Sequence, residues 1–226
     1  MSYYRGIFKL NKDKKGWFIV FEGIDGSGKT TQIKNIAARL SEILPNEVNT
    51  TFEPSDGPVG KLIRKMLAGQ IETDQRTIAS LFAADRTDHL LDRKNGICRK
   101  LAMGNIVLCD RYYFSSYAYH AQHMDLRWVI QANSLNAEIL RPDLNIFIDV
   151  EPEVCFDRIM ANRTSFDMYE KKDILEAVRA NYFKAFEILK HDEKIIIIDG
   201  NRSLKQVEDS VFDAVMHLVA PEKVQT

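Results

Sequence analysis

Gly23-Ile24-Asp25-Gly26-Ser27-Gly28-Lys29-Thr30 places three glycines, a lysine and a threonine at the spacing of a phosphate-binding loop, with Thr31 next in the chain. The glycines let the backbone curl until successive N–H groups point inward, and a following helix adds the partial positive charge of its N-terminus. Such a cradle holds the phosphates of a nucleotide. Lys29 would reach the β and γ phosphates, and Thr30 would hold Mg²⁺. A glycine-rich turn without a ligand is the alternative, and the apolar run before the loop and the amphipathic stretch after it oppose that.

A second acidic element stands downstream. Ile106-Val107-Leu108-Cys109 reads as a buried strand, and Asp110 ends it. A carboxylate there orients Mg²⁺ in enzymes built around such loops. Arg111 follows directly, where a guanidinium can clamp an acceptor phosphate with two parallel hydrogen bonds. A surface salt bridge is the other reading of Arg111. Phe82 and Arg86 are four residues apart on a helical pattern, so they share one face. An aromatic ring beside a guanidinium suits a stacked and edge-bonded base; the same spacing fits Phe82 in the core and Arg86 reaching outward.

The elements that must position these groups follow an alternating pattern. Apolar runs at 17–22, 48–53, 106–110, 145–150 and 194–199 read as strands, and helical patterns lie near 30–44, 60–67, 74–103, 115–123, 126–140, 152–160, 171–191 and 204–219. Strands alternating with helices predict an α/β fold, a parallel sheet with helices on both faces. In such sheets ligands bind beyond the carboxyl ends of the strands. The polar stretch 161–170, containing Arg163, reads as a short mobile lid. The expected organisation is an N-terminal extension over 1–16, one P-loop domain over 17–220, and a tail over 221–226.

Composition narrows the function further. Lys plus Arg number 31 against 32 Asp plus Glu, so no global field recruits nucleic acid or an anionic membrane. Cys98, Cys109 and Cys155 are scattered in apolar surroundings. They fit reduced thiols of a cytoplasmic protein rather than disulfides or a metal site. No apolar run is long enough to span a bilayer, and the first sixteen residues, with Lys9, Lys12, Lys14 and Lys15, lack the apolar centre of a secretory signal.

Taken together, Phe21-Glu22 leading into the glycine loop, Phe52-Glu53-Pro54, Leu81-Phe82-Ala83-Ala84-Asp85-Arg86, Asp110-Arg111-Tyr112 and Arg141-Pro142-Asp143-Leu144 occur in the order seen in one family. The chain resembles the thymidylate kinases. The resemblance implies a P-loop NTPase-type, five-stranded nucleoside monophosphate kinase fold. It also implies transfer of the γ-phosphoryl group of ATP to dTMP, giving dTDP and ADP in dTTP synthesis, with Mg²⁺ as cofactor and a homodimer as the assembly. Residues from Gly23 to Thr31 would line the ATP phosphates. Phe82 would stack on thymine and Arg86 would bond its edge. Arg111 would hold the dTMP phosphate, and Asp25 would meet both that arginine and the 3′-hydroxyl.

By the same resemblance Ser115 and Ser116 line the thymine pocket, the Tyr119 ring crowds the sugar 2′ carbon, and Glu53, Pro54 and Tyr169 lie on the substrate side. The family's additional arginine sits in the loop or in the lid. This loop carries none, so Arg163 takes that role and Arg158 stands second. The chain departs from the pattern at Phe52, at Ser55-Asp56-Gly57 and at Met168. Two other functions fit the bare motifs: a kinase of this fold for another nucleotide, and an ATP-sensing module without turnover. An acceptor-phosphate clamp argues against the second.

Overall fold

A computed structural model describes residues 15–162 and 172–223. Arg163 and Tyr169, nearly all of the expected lid and nearly all of the N-terminal extension lie outside the described residues. Five strands, β1 (Trp17–Glu22), β2 (Val48–Phe52), β3 (Ile106–Asp110), β4 (Leu144–Asp149) and β5 (Ile195–Asp199), form one sheet in the order β2-β3-β1-β4-β5. Every pairing is parallel. Phe18, Ile19, Val20 and Phe21 of β1 and Ile106 to Cys109 of β3 are all 0% exposed. Neighbouring side chains point to opposite faces of a sheet, so continuous burial means that both faces are covered.

The helices are α1 (Lys29–Ile43), α2 (Pro58–Leu67), α3 (Gln75–Leu91), α4 (Ile97–Ala102), α5 (Tyr113–His120), α6 (Leu126–Ala132), α7 (Ser134–Ile139), α8 (Pro152–Asn162), α9 (Lys172–Leu189) and α10 (Leu204–Val219). Ile33, Ile36 and Leu40 of α1 are buried at helical spacing. The predicted helix over 74–103 is instead two helices. Asp92 ends α3, its side chain accepts from Lys94 N, and its carbonyl accepts from Gly96 N, the residue that caps α4. The predicted helix over 126–140 also breaks, at Asn133, whose side chain leaves the helical pattern to bond Val129 O and Arg86. Cys98, Cys109 and Cys155 are free and buried, as expected. Among the described residues no helix is long and apolar enough to cross a membrane.

Candidate active site

The glycine loop joins β1 to α1 at the carboxyl edge of the sheet. Gly28 takes φ 91° as it opens the helix, a region that favours glycine over any residue with a Cβ. At Gly26, φ 80°, an added Cβ would come within 2.5 Å of the Cys155 carbonyl oxygen. Lys29 folds back over the loop, donating from Nζ to Ile24 O at 3.0 Å, with Ser27 Oγ at 3.4 Å. Burial, with Arg111 close by, lowers its pKa from the usual lysine value. A bound polyphosphate would supply the compensating charge.

Arg111 is the one described non-glycine residue with positive φ, at 71°. Its N–H donates to Phe21 O at 2.9 Å, which ties the exit of β3 to the end of β1. Nη2 lies 2.6 Å from Asp25 Oδ1 and 3.1 Å from Tyr119 Oη; Nη1 donates to Gly23 O at 3.1 Å and Ser115 Oγ at 3.0 Å. Tyr119 Oη also donates to Asp25 Oδ2 at 2.8 Å. Burial opposes ionisation of Asp25, but Arg111, Lys29 and these hydrogen bonds outweigh it and hold the carboxyl below its usual pKa. The loop and the clamp therefore form one charged unit.

Two cavities open on either side of this unit. One, of about 390 Å³, lies over Gly26, Gly28, Lys29, Thr30 and Thr31 and reaches Asp110 and Arg158. The other, of about 260 Å³, is lined by Glu53, Pro54, Phe82, Ser115, Ser116 and Tyr119. Asp25 and Arg111 line both. Thr30 Oγ1 donates to Asp110 Oδ2 at 2.6 Å at the mouth of the first cavity. Of the expected residues, Ile24 contributes its carbonyl rather than its buried side chain. Arg86 lies beneath the second cavity, 1% exposed: Nε bonds Glu53 Oε2 at 2.7 Å, Nη1 and Nη2 each lie 3.2 Å from Ser116 Oγ, and Nη1 also bonds Asn133 Oδ1. Neither Ser115 nor Ser116 caps α5, which begins at Tyr113.

The chain matches a family model described as thymidylate kinase over residues 21–211. The chain belongs to the thymidylate kinase family. It is 38% identical over 209 residues to the probable thymidylate kinase of Pyrococcus horikoshii, an alignment covering 90% of this chain and 97% of that one. The thymidylate kinase of Ligilactobacillus salivarius is 38% identical over 205 residues, covering 88% and 96%, and that of Staphylococcus haemolyticus 33% over 206 residues, covering 89% and 98%. The chain is thus an ATP-dependent phosphotransferase of the nucleoside monophosphate kinase class.

Arg64, Leu67 and His120, which line this kinase's second cavity, escaped the sequence reading, as did the role of Asp85 outside that lining. Arg64 of α2 lines the cavity and donates to Pro54 O at 2.6 Å. His120, 2% exposed, packs its ring 5.0 Å from that of Phe82; among the described residues its Nδ1 has no hydrogen-bond partner. Burial first, then Arg86 and His123, push its pKa down to about 3, so the ring is neutral at physiological pH. Asp85, 1% exposed, accepts from both Ser55 N and Ser55 Oγ at 2.6 Å. That pair gives the unusual Ser55-Asp56-Gly57 sequence a function, since it pins the loop after Pro54 to α3. The signal for Arg64 and His120 was faint, because helical spacing alone does not say which face meets a cavity.

Proposed function

We propose that this kinase transfers the γ-phosphoryl group of ATP to dTMP, with the ATP phosphates over the glycine loop and dTMP in the neighbouring cavity. One observation carries the reading: Asp25 and Arg111 line both cavities, so donor and acceptor phosphates would meet at one guanidinium. Phosphoryl transfer needs little covalent help. It needs two phosphates in line, water kept out and the moving charge neutralised. Lys29 and Arg111 supply fixed positive charge, and Arg163 would close over the transferring group, with Arg158 second. Arg158 already reaches the loop, donating to Gly26 O at 3.3 Å.

Thr30 Oγ1 and Asp110 Oδ2 present an alcohol and a carboxylate oxygen side by side, a donor set that fits Mg²⁺, which keeps several waters and binds through one or two carboxylates and substrate phosphates. When bound, the ion would neutralise charge on the phosphates. On the acceptor side, Phe82 stacks on thymine, and Tyr119 crowds the 2′ carbon while its hydroxyl steadies Asp25 and Arg111. Arg86 supports the base edge through Ser116, whose oxygen it engages and whose hydrogen is left to meet a base carbonyl. Glu53, Pro54 and Tyr169 complete the substrate side. The buried free cysteines support a cytoplasmic setting. Balanced charge supports a reading without nucleic acid or membrane surface as partner, and the homodimer rests on family resemblance. Release of ADP measured with each nucleoside monophosphate in turn tests the assignment.

A further inference from the structure

Glu22, the last residue of β1, is 0% exposed and touches neither cavity. Four donors converge on it. Oε1 accepts from Tyr112 N at 2.9 Å and Ser115 N at 3.3 Å; Oε2 accepts from Ser115 Oγ at 2.6 Å and Tyr182 Oη at 2.9 Å. A buried carboxylate is costly unless its oxygens are satisfied, and these are. Burial raises its pKa, but four donors call for a group that only accepts, so the ionised form is the one the surroundings fit.

The consequence lies one layer outward, at Arg111. Ser115 Oγ and Tyr182 Oη lie 2.8 Å apart and each has one hydrogen. With Glu22 Oε2 against both, those two hydrogens are used inside the three-oxygen cluster. The outward lone pairs then accept from Arg111 Nη1, 3.0 Å from Ser115 Oγ and 3.4 Å from Tyr182 Oη. Glu22 also holds the backbone N–H groups of Tyr112 and Ser115, just past the positive φ of Arg111, a conformation that persists only when its surroundings impose it.

We propose that Glu22 is a positioning residue for the acceptor phosphate, holding Arg111 in its phosphate-facing pose through Ser115, Tyr182 and the backbone of Tyr112 without touching substrate. The inference rests on the assignment of Arg111 to that phosphate. Glutamine at 22 has nearly the same shape, but its NH2 meets donors in either orientation: toward Ser115 and Tyr182 it turns their hydroxyls toward Arg111, and toward the backbone it opposes the N–H groups of Tyr112 and Ser115 that follow Arg111.

Calorimetric titration of thymidine and of dTMP isolates the phosphate contribution, since only dTMP meets Arg111. In Glu22→Gln the advantage of dTMP over thymidine is expected to fall about tenfold, as for loss of hydrogen bonds to a charged group, with thymidine affinity kept within about twofold. Tyr182→Phe, which removes one hydroxyl and keeps the ring, is expected to lose about threefold of the same advantage by the same reasoning. Parallel loss of both affinities, or an undiminished advantage in Glu22→Gln, overturns the proposal. Should Glu22→Gln fail to fold, an undiminished advantage in Tyr182→Phe overturns it instead. If the unaltered protein binds dTMP no better than thymidine, the Arg111 assignment itself falls and takes this inference with it.

Discussion

Arg111 Nη2 stands 2.6 Å from the Asp25 carboxylate, so the arginine that leaves β3 is held by the loop that leaves β1. The contact joins the two halves of the reaction. In the proposed reading donor phosphates bind the loop, the acceptor phosphate binds the arginine, and one ion pair fixes their relative placement. Its side chains are 17% and 28% exposed, which leaves room for phosphate oxygens on the outer side of the guanidinium.

In the proposed reading the arginines separate by when they act. Arg111→Ala is expected to raise the KM for dTMP as well as lower kcat, because the clamp already works in the ground state. Arg163→Ala is expected to lower kcat about a hundredfold, the scale of losing one aimed donor, with the KM for dTMP nearly unchanged. Steady-state kinetics with dTMP varied at saturating ATP reads both. Full activity in Arg163→Ala beside a crippled Arg158→Ala would move the role to Arg158, which already touches the loop.

Base and sugar selection, in the proposed reading, divide between Phe82 and Tyr119. Phe82→Ala is expected to raise the KM for dTMP about tenfold through loss of stacking and apolar contact. At Tyr119 the hydroxyl and the ring do different work. Tyr119→Phe keeps the ring, so it should keep the preference for dUMP over UMP while losing rate through Asp25 and Arg111; Tyr119→Ala should lose the preference too. Competition kinetics with dUMP and UMP measures this. Unchanged preference in Tyr119→Ala, accompanied only by earlier melting, contradicts the sugar assignment.

Much of this site could be read from the chain because it is local. The glycine loop, Thr30, Asp110 and Arg111 each sit within a few residues of a strand end, where the apolar run itself announces the position. The supporting contacts were hidden because they close over long separations. Tyr182 meets Glu22 across 160 residues and Asn133 meets Arg86 across 47, distances bridged by the strand order rather than by any local pattern. Asn133 explains one misread element as well. The apolar period runs through it and predicts a continuous helix, whereas its side chain takes the Val129 carbonyl that its backbone N–H would hold in a continuous helix, and that N–H bonds Ile130 O instead.

His120 makes the acid limit of stability testable. Its folded pKa, about 3, lies below the ordinary value of 6.5, so between those values the unfolded chain binds a proton that the folded protein excludes. Stability therefore falls as pH drops through that window, by up to about 1.4 kcal/mol per pH unit from this group. His120→Gln, compared with the unaltered protein by denaturant unfolding at pH 4, 5, 6 and 7, should show a shallower decline. Parallel declines would mean that His120 is not excluded from protonation in the folded state.

ADP release coupled to a dehydrogenase readout, with ATP and Mg²⁺ held constant and dTMP, dUMP, UMP, CMP, AMP and GMP supplied in turn, tests the central claim most directly. The account predicts dTMP as the best acceptor, dUMP weaker, the ribonucleotides near background, and Lys29→Met slower with dTMP by about a thousandfold, the scale of removing a charge that acts on the transition state. Equal or faster turnover with another nucleotide, or ADP release that ignores the acceptor, would contradict it.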